Sequence, residues 1–376
     1  MKNATIKYIM VLSVFVLGSH FQAKAQIGNI GEIIRAGQAD VNLLVEAYAE
    51  PYATGFGNSI NSGWFQTAGT HGIMGFDLTF STTVAVVPST DELFNVRNLE
   101  PEFEAIEVYN NIYESPTIAG DSDTRTEFVV TGDGNSGVPR DQLPRFTMPN
   151  GSGFGYVPAP AIQLSKGLPM GIDLSLRYIP KVGVDDVGDI SLFGFGVKHD
   201  ILQWIPGFGM LPVNVSAQFG YTSLSANSAD VGVSPPDAYF DGTGNYSNSG
   251  QYQRSDFDGQ KVETTTSGWT ANVLVGKDLS LVVFGIGAYA GLGIQSSTME
   301  LDVLGSYPVE SPDPTLQNPN QKKLEVLDDP VKLDMENGVS PNIMAGFNID
   351  IALIRIAAQY SYGNYSMGTV SLGLAF

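Results

Sequence analysis

The sequence predicts an all-β, membrane-spanning protein: an antiparallel up-and-down β-barrel of about 12–14 strands with a short N-terminal helical segment, a possible plug. Three observations lead there. Segments of about 9–11 residues alternate apolar and polar side chains with a period of two. Short connections alternate with long, polar ones. The last amphipathic segment stops on an aromatic residue, Phe376. Beyond the N-terminus no stretch approaches the roughly 20 continuous apolar residues of a membrane helix. A chain of this kind enters lipid only by closing its sheet, because hydrocarbon satisfies no backbone polar group.

Residues 1–25 read as an export signal. Lys2 and Lys7 carry its positive charge, Ile9 to Leu17 form a short apolar run, and Ala23-Lys24-Ala25 fits a cleavage site. The mature chain then starts at Gln26. Residues 26–70 form the N-terminal segment. Its Ile30, Ile33, Ile34, Val41, Leu44, Ala47 and Tyr48 recur at helical spacing. Gly37 and Asp40 suggest a break into two helices, with Asp40 as the second N-cap and Pro51 as the stop. Tyr52 to Thr70 is rich in Gly and Ser and contains Trp64. A helix followed by such a segment fits a lumenal plug or a short packing helix equally well.

The barrel occupies 71–376. In its first strand Phe76, Leu78, Phe80, Thr82, Val84 and Val86 oppose Asp77, Thr79, Ser81, Thr83 and Ala85. The pattern returns around 170–178, 193–198, 213–221, 269–276, 282–290, 354–362 and 370–376, with additional strands expected near Phe103–Ile112 and Glu127–Thr131. A soluble β-sandwich alternates in the same way. Two features favour the barrel: the long polar stretches Thr222–Gln260 and Val303–Ser340, set against short connections at Asp278–Ser280 and Ile351–Leu353, and the terminal strand. A last strand ending at Phe376 resembles the signal read by barrel-assembly machinery.

Asp77, Asp173, Arg177 and Arg355 fall on polar strand faces. A charge facing lipid near the midplane costs roughly 2–4 kcal/mol for Arg, so these four are expected to point inward. There they pair with one another or with the plug, or line a solute path. Trp64 and His71 are candidates for the plug and for its junction with the first strand. His199 should mark a strand end at the membrane boundary.

Other chemistry finds little support. There are 0 Cys, which removes disulfides and thiolate metal sites. A net charge of −20 disfavours nucleic acid. The mature chain holds only His71 and His199, with neither H-E-x-x-H nor G-x-S-x-G. Gly285 to Gly291 lies inside a strand pattern, which is the wrong context for a dinucleotide loop. Asp121 to Arg125 lacks the Gly of a calcium loop. No catalytic residue, metal or cofactor is expected.

Two groups of residues carry a family resemblance. One is Tyr48, Pro51, Phe56-Gly57, Gly63-Trp64, His71 and Gly75-Phe76-Asp77; the other is Gly196 to Ile201 with Gln203-Trp204-Ile205-Pro206 and Pro212. Together they resemble an uncharacterised family of bacterial outer-membrane barrels whose domain spans nearly the whole mature chain. The layout, a helical segment ahead of a barrel, is similar to FadL-type transporters of hydrophobic compounds, although Asn61-Ser62-Gly63-Trp64 stands where that family has Asn-Pro-Ala. The resemblance implies the outer membrane, lipid as neighbour, and passive passage of small or hydrophobic solutes. The alternatives are a non-conducting barrel that binds partners through its loops and, behind it, an outer-membrane hydrolase.

Overall fold

The computed structural model describes residues 31, 33–131, 139–184, 188–205, 212–228, 231–280, 283–312 and 322–376. The expected export signal lies outside them. A 3-10 turn (Ile34–Ala36) leads into the helix α1 (Val41–Asn61) and then β1 (Phe76–Val86). Five short strands follow: β2 (Leu93–Asn95), β3 (Ile106–Val108), β4 (Glu114–Pro116), β5 (Glu127–Val130) and β6 (Arg145–Thr147). Next come β7 (Tyr156–Leu168), β8 (Ile172–Val184), β9 (Gly188–Asp200), β10 (Asn214–Ser228), the short helix α2 (Asp237–Phe240) and β11 (Lys261–Ser280). The chain finishes with β12 (Phe284–Leu304), β13 (Ser306–Pro312), β14 (Lys322–Asp328), β15 (Val331–Ile351), β16 (Ile354–Tyr362) and β17 (Ser366–Ala375).

Among the described residues, β1, β7–β12 and β15–β17 close one antiparallel barrel, each strand beside its sequence neighbour in the wall. That is ten strands, where the sequence suggested about 12–14. The difference has a physical source. The stretches near 103–112 and 127–131 yield strands of 3 and 4 residues (β3 and β5), too short for the roughly 9–11 that cross a membrane. They pair with each other and with β6 in one small sheet outside the wall. Part of the polar stretch 303–340 extends β12 and β15 to 21 residues each, and part forms the separate β13–β14 hairpin.

The alternation resolves into two faces. Along β1, Asp77, Thr79, Ser81, Thr83 and Ala85 are buried. Outward residues such as Leu164, Leu174, Phe195, Ile286 and Leu372 are exposed apolar side chains in a belt around the wall, as lipid contact requires. Where first and last strands meet, Phe76 N donates to Phe376 O at 3.1 Å and Phe376 N to Phe76 O at 2.8 Å. Their rings stack at 4.8 Å, so the terminal aromatic helps close the cylinder.

One rim carries the connections 169–171, 201–213, 281–283 and 352–353 together with the start of β1 and the end of β17. Met170, expected at a strand start, is a turn residue there with φ 67°. The opposite rim carries the long connections 87–155, 229–260 and 305–330. His199 is the penultimate residue of β9, and its Nε2 accepts from exposed Trp204 at 2.8 Å.

Helix α1 lies within the cylinder, packed on β1, β7, β10, β11, β12 and β15. Two expectations about it need correcting. Pro51 does not stop the helix but sits inside it. An interior proline costs about 3 kcal/mol; burial of most of the helix against the wall offsets this. Tyr48 O nearby accepts from Ile118 N at 2.9 Å, which ties this part of the helix to the 87–155 loop. The Gly- and Ser-rich stretch is helical through Asn61, because small residues let the helix approach the wall. A Cβ on Gly55 would meet Val157 at 2.6 Å, and one on Gly57 would fall on Ser297. Asp40 holds the N-cap position without capping; its carboxylate accepts from Glu104 N (2.8 Å) and Ala105 N (2.7 Å) in the 87–155 loop.

Candidate functional site: the filled lumen

The end of α1 is fastened by one buried cation. Arg177 is 2% exposed, and among the described residues no carboxylate pairs with it. Its Nη1 donates to Ile60 O and its Nη2 to Ser62 O, both at 2.9 Å, and its Nε donates to Gln163 Oε1 at 3.0 Å. These main-chain oxygens belong to the last turn of the helix and the residue beyond, where carbonyls lack partners and the dipole is negative. The guanidinium also lies 3.8 Å over the Trp64 ring. On its other side Trp64 meets bare backbone: a Cβ on Gly220 would lie 2.5 Å from the indole, and one on Gly196 2.8 Å. The indole is thereby held between a cation and two glycines.

Amides tie the rest of the plug to the wall. Gln295 Nε2 donates to Asn58 Oδ1 (2.6 Å), Asn61 Nδ2 to Ser296 O (3.0 Å), Asn348 Nδ2 to Gln66 O (2.9 Å) and Gln163 Nε2 to Trp64 O (3.1 Å). Between plug and wall, Trp64, His71, Asp77, Asp173, Lys198 and Arg355 line a cavity of about 10 Å³, space for roughly one water.

At the short-turn rim His71 bridges two strands. Its Nδ1 lies 3.1 Å from Asp173 Oδ2, and its backbone N donates to Asp173 Oδ1 at 2.9 Å. Its Nε2 lies 2.8 Å from Asp77 Oδ2, a charge contact rather than an aligned hydrogen bond. Lys198 reaches Asp173 at 3.2 Å. Arg355 pairs with Asp350 at 2.7 Å and 3.0 Å. The four charges singled out in the sequence thus all sit on the inner side of the wall, but they do not pair with one another. Asp77 and Asp173 hold His71, Arg177 holds backbone, and Arg355 holds a neighbouring strand. Lys198, Gln163 and Asp350 complete the arrangement. Lys198 was legible as a polar-face residue of β9; the other two carry no signal of their own.

One place in the wall is unzipped. The ladder between β7 and β8 runs from Leu168↔Ile172 to Gln163↔Arg177 and stops. Above that level β7 pairs only with β1, and β8 only with β9. Prolines explain it. Gly167 N donates to Gly75 O, and Gly155 O accepts from Val87 N. Odd residues of β7 therefore point their backbone groups at β1, and even residues, Pro158 and Pro160 among them, face β8. On β8, Gly171 O accepts from Asp200 N beside β9, so even residues through Tyr178 face β7, and Pro180 follows at the start of the irregular stretch. Two donors are missing from the β7 side of the seam and a third beside it, and β8 is irregular between Ile179 and Val182. Behind the seam the lumen turns apolar: Ile60, Ala159, Ile179, Leu192 and Leu224 cluster with Phe56. The motif Val157-Pro-Ala-Pro-Ala161 was readable as a broken edge, yet sequence reasoning passed over it.

Outside the wall, the β13–β14 hairpin is clamped to the 229–260 loop. Tyr246 Oη donates to Glu310, and Lys322 Nζ lies 2.7 Å from Glu310 Oε2. Burial works against the Glu310 carboxylate, but the hydrogen bonds from Lys322 and Tyr246 outweigh it and hold its pKa below the ordinary value.

The sequence matches a family of unknown function, DUF6588, over residues 1–376. No curated relative matches it. Among solved structures it is similar to the beta domain of the Bordetella autotransporter BrkA, at 10% identity over 81% of this chain and 99% of that one, with a TM-score of 0.23. An outer membrane channel from Pseudomonas putida F1 matches at 8% identity over 84% and 100%, TM-score 0.25. The Pseudomonas putida toluene transporter TodX matches at 7% over 80% and 88%, TM-score 0.21.

Proposed function

This chain belongs to DUF6588, and from its geometry we propose that it is an outer-membrane barrel acting as a passive conduit for small hydrophobic solutes, closed at rest by its own helix. The carrying observation is the unzipped β7–β8 seam with an apolar cluster directly behind it. Much of the remaining lumen is lined by Gln, Asn, Ser and Thr, and its two other apolar clusters, around Tyr52 and Trp64, are packed on the plug rather than beside unpaired strands. At the seam the missing ladder bonds lower the cost of parting the strands, and the exposed apolar belt places it against lipid. A solute dissolved in hydrocarbon then exchanges sideways with the apolar cluster. Movement of α1 opens the remaining path, with no nucleotide consumed. A second reading, a non-conducting barrel that meets partners through its long acidic loops, is favoured by one observation: the close fit of the plug in the lumen.

The combined variant Pro158→Val, Pro160→Val, Pro180→Val restores three backbone donors. Each new bond is worth about 1 kcal/mol, so the barrel should resist heat in gel-shift assays better than the parent. Uptake of an apolar fluorescent probe by cells making the variant should fall to that of cells without the protein. A folded variant with unchanged uptake would remove the seam from the transport path and leave the non-conducting reading.

A further inference from the structure

The direction of α1 has a topological consequence. Its first residue, Val41, belongs to an apolar cluster with Ile106, Val303 and Val331, at the long-loop rim where β12 ends and β15 begins. Its last residue, Asn61, bonds Ser296 well inside β12. Residues 62–75 continue in the same direction, and Phe76 N donates to Phe376 O at the short-turn rim, where β1 starts. The 21 residues of α1 span about 32 Å at 1.5 Å per residue, comparable to a membrane's hydrocarbon thickness.

The residues ahead of the helix confirm the direction. A Cβ on Gly31 would lie 2.7 Å from Val233 in the 229–260 loop. Ile34 and Ala36 share a buried cluster with Tyr307 and Val309 of β13. Asp40 is held by the backbone of 104–105. All of these belong to the long-loop rim, which faces outward in bacterial barrels while the short turns face the periplasm.

We infer that this barrel carries the residues just ahead of α1, 33–40, across the outer membrane and holds them at the cell surface. An exported chain reaches the periplasm N-terminus first. For α1 to end in its observed orientation, the residues just ahead of it, 33–40, must pass through the forming cylinder while 62–75 stays at the periplasmic rim. The polar inner wall supplies partners for the passing backbone, and docking of α1 by Arg177 and the amides makes the passage one-way. The barrel would then present the exposed residues Arg35, Gln38 and Ala39 beside the long acidic loops. The inference rests on the outer-membrane placement proposed above, but not on solute transport.

The test uses the full chain in a diderm host, with one epitope per variant. The first epitope follows Gln26, the second lies in the exposed loop at Gly242–Thr243, and the third in the turn at Ala352–Leu353. Antibody should bind the first and second on intact cells and the third only after the outer membrane is permeabilised, with heat-modifiable gel migration confirming that each barrel has folded. An N-terminal epitope reached only after permeabilisation, with the loop epitope bound on intact cells, would overturn the threading while leaving the placement intact. A turn epitope bound on intact cells with the loop hidden would overturn the placement, and this inference with it.

Discussion

Arg177→Met is expected to release the plug. The substitution keeps most of the volume and removes a buried guanidinium, whose desolvation is itself costly. It also strips donors from Ile60 O, Ser62 O and Gln163 Oε1, all buried, and removes the cation stacked on Trp64. Hydrogen bonds from a charged donor contribute about 1.5–3 kcal/mol each. Set against the relieved desolvation, the net loss in helix docking is expected to be about 2–4 kcal/mol. Limited proteolysis in detergent should cleave within 41–70 in the variant while the barrel core persists, and the parent should resist. Arg177→Lys should recover only part of the loss, because one ammonium cannot reproduce the planar fork that spans two carbonyls. If Met at 177 left the plug as resistant as in the parent, the guanidinium would not be its fastening.

Gly220→Val should act on the same indole from the other side. A Cβ here would lie 2.5–2.8 Å from three indole atoms, and a flat ring has no flexible end to yield. Overpacking of this kind costs about 1–3 kcal/mol. Trp64 must move toward Arg177 or leave its slot, so its fluorescence should shift to longer wavelength as the indole meets water. Gly368→Val is the control: nothing lies within 4 Å of that position, and no shift is expected. A native Trp64 environment in Gly220→Val would mean that the indole does not depend on this contact.

The barrel was legible because lipid outside and a polar lumen inside impose opposite chemistry on alternate residues. Asp77, Asp173 and Arg177 stood out for that reason: each is a charge on a strand whose other face is apolar. Their partners were not legible. Arg177 bonds the carbonyls of Ile60 and Ser62, groups every residue possesses, so no side chain in the sequence points to that contact. Pro51 and the glycines of 55–63 misled for a related reason: propensity describes a helix in water, and this one is held by a wall on several sides. The strand number was overestimated because short apolar runs such as Ile106–Val108 and Glu127–Val130 read as wall strands but pair outside the barrel. The length of β12 and β15 was missed because a long strand reads in sequence as a strand plus a loop.

The most direct test of the account is single-channel conductance in planar bilayers, comparing the mature chain with a variant lacking residues 26–70. The lumen is filled by α1 and the residues that follow it, with a cavity of about 10 Å³ beside them. The mature protein should therefore be nearly silent and open steadily once the segment is removed, with heat-modifiable migration showing that both barrels are folded. Equal, steady conductance from both proteins would show that the helix does not close the lumen and would contradict the central claim.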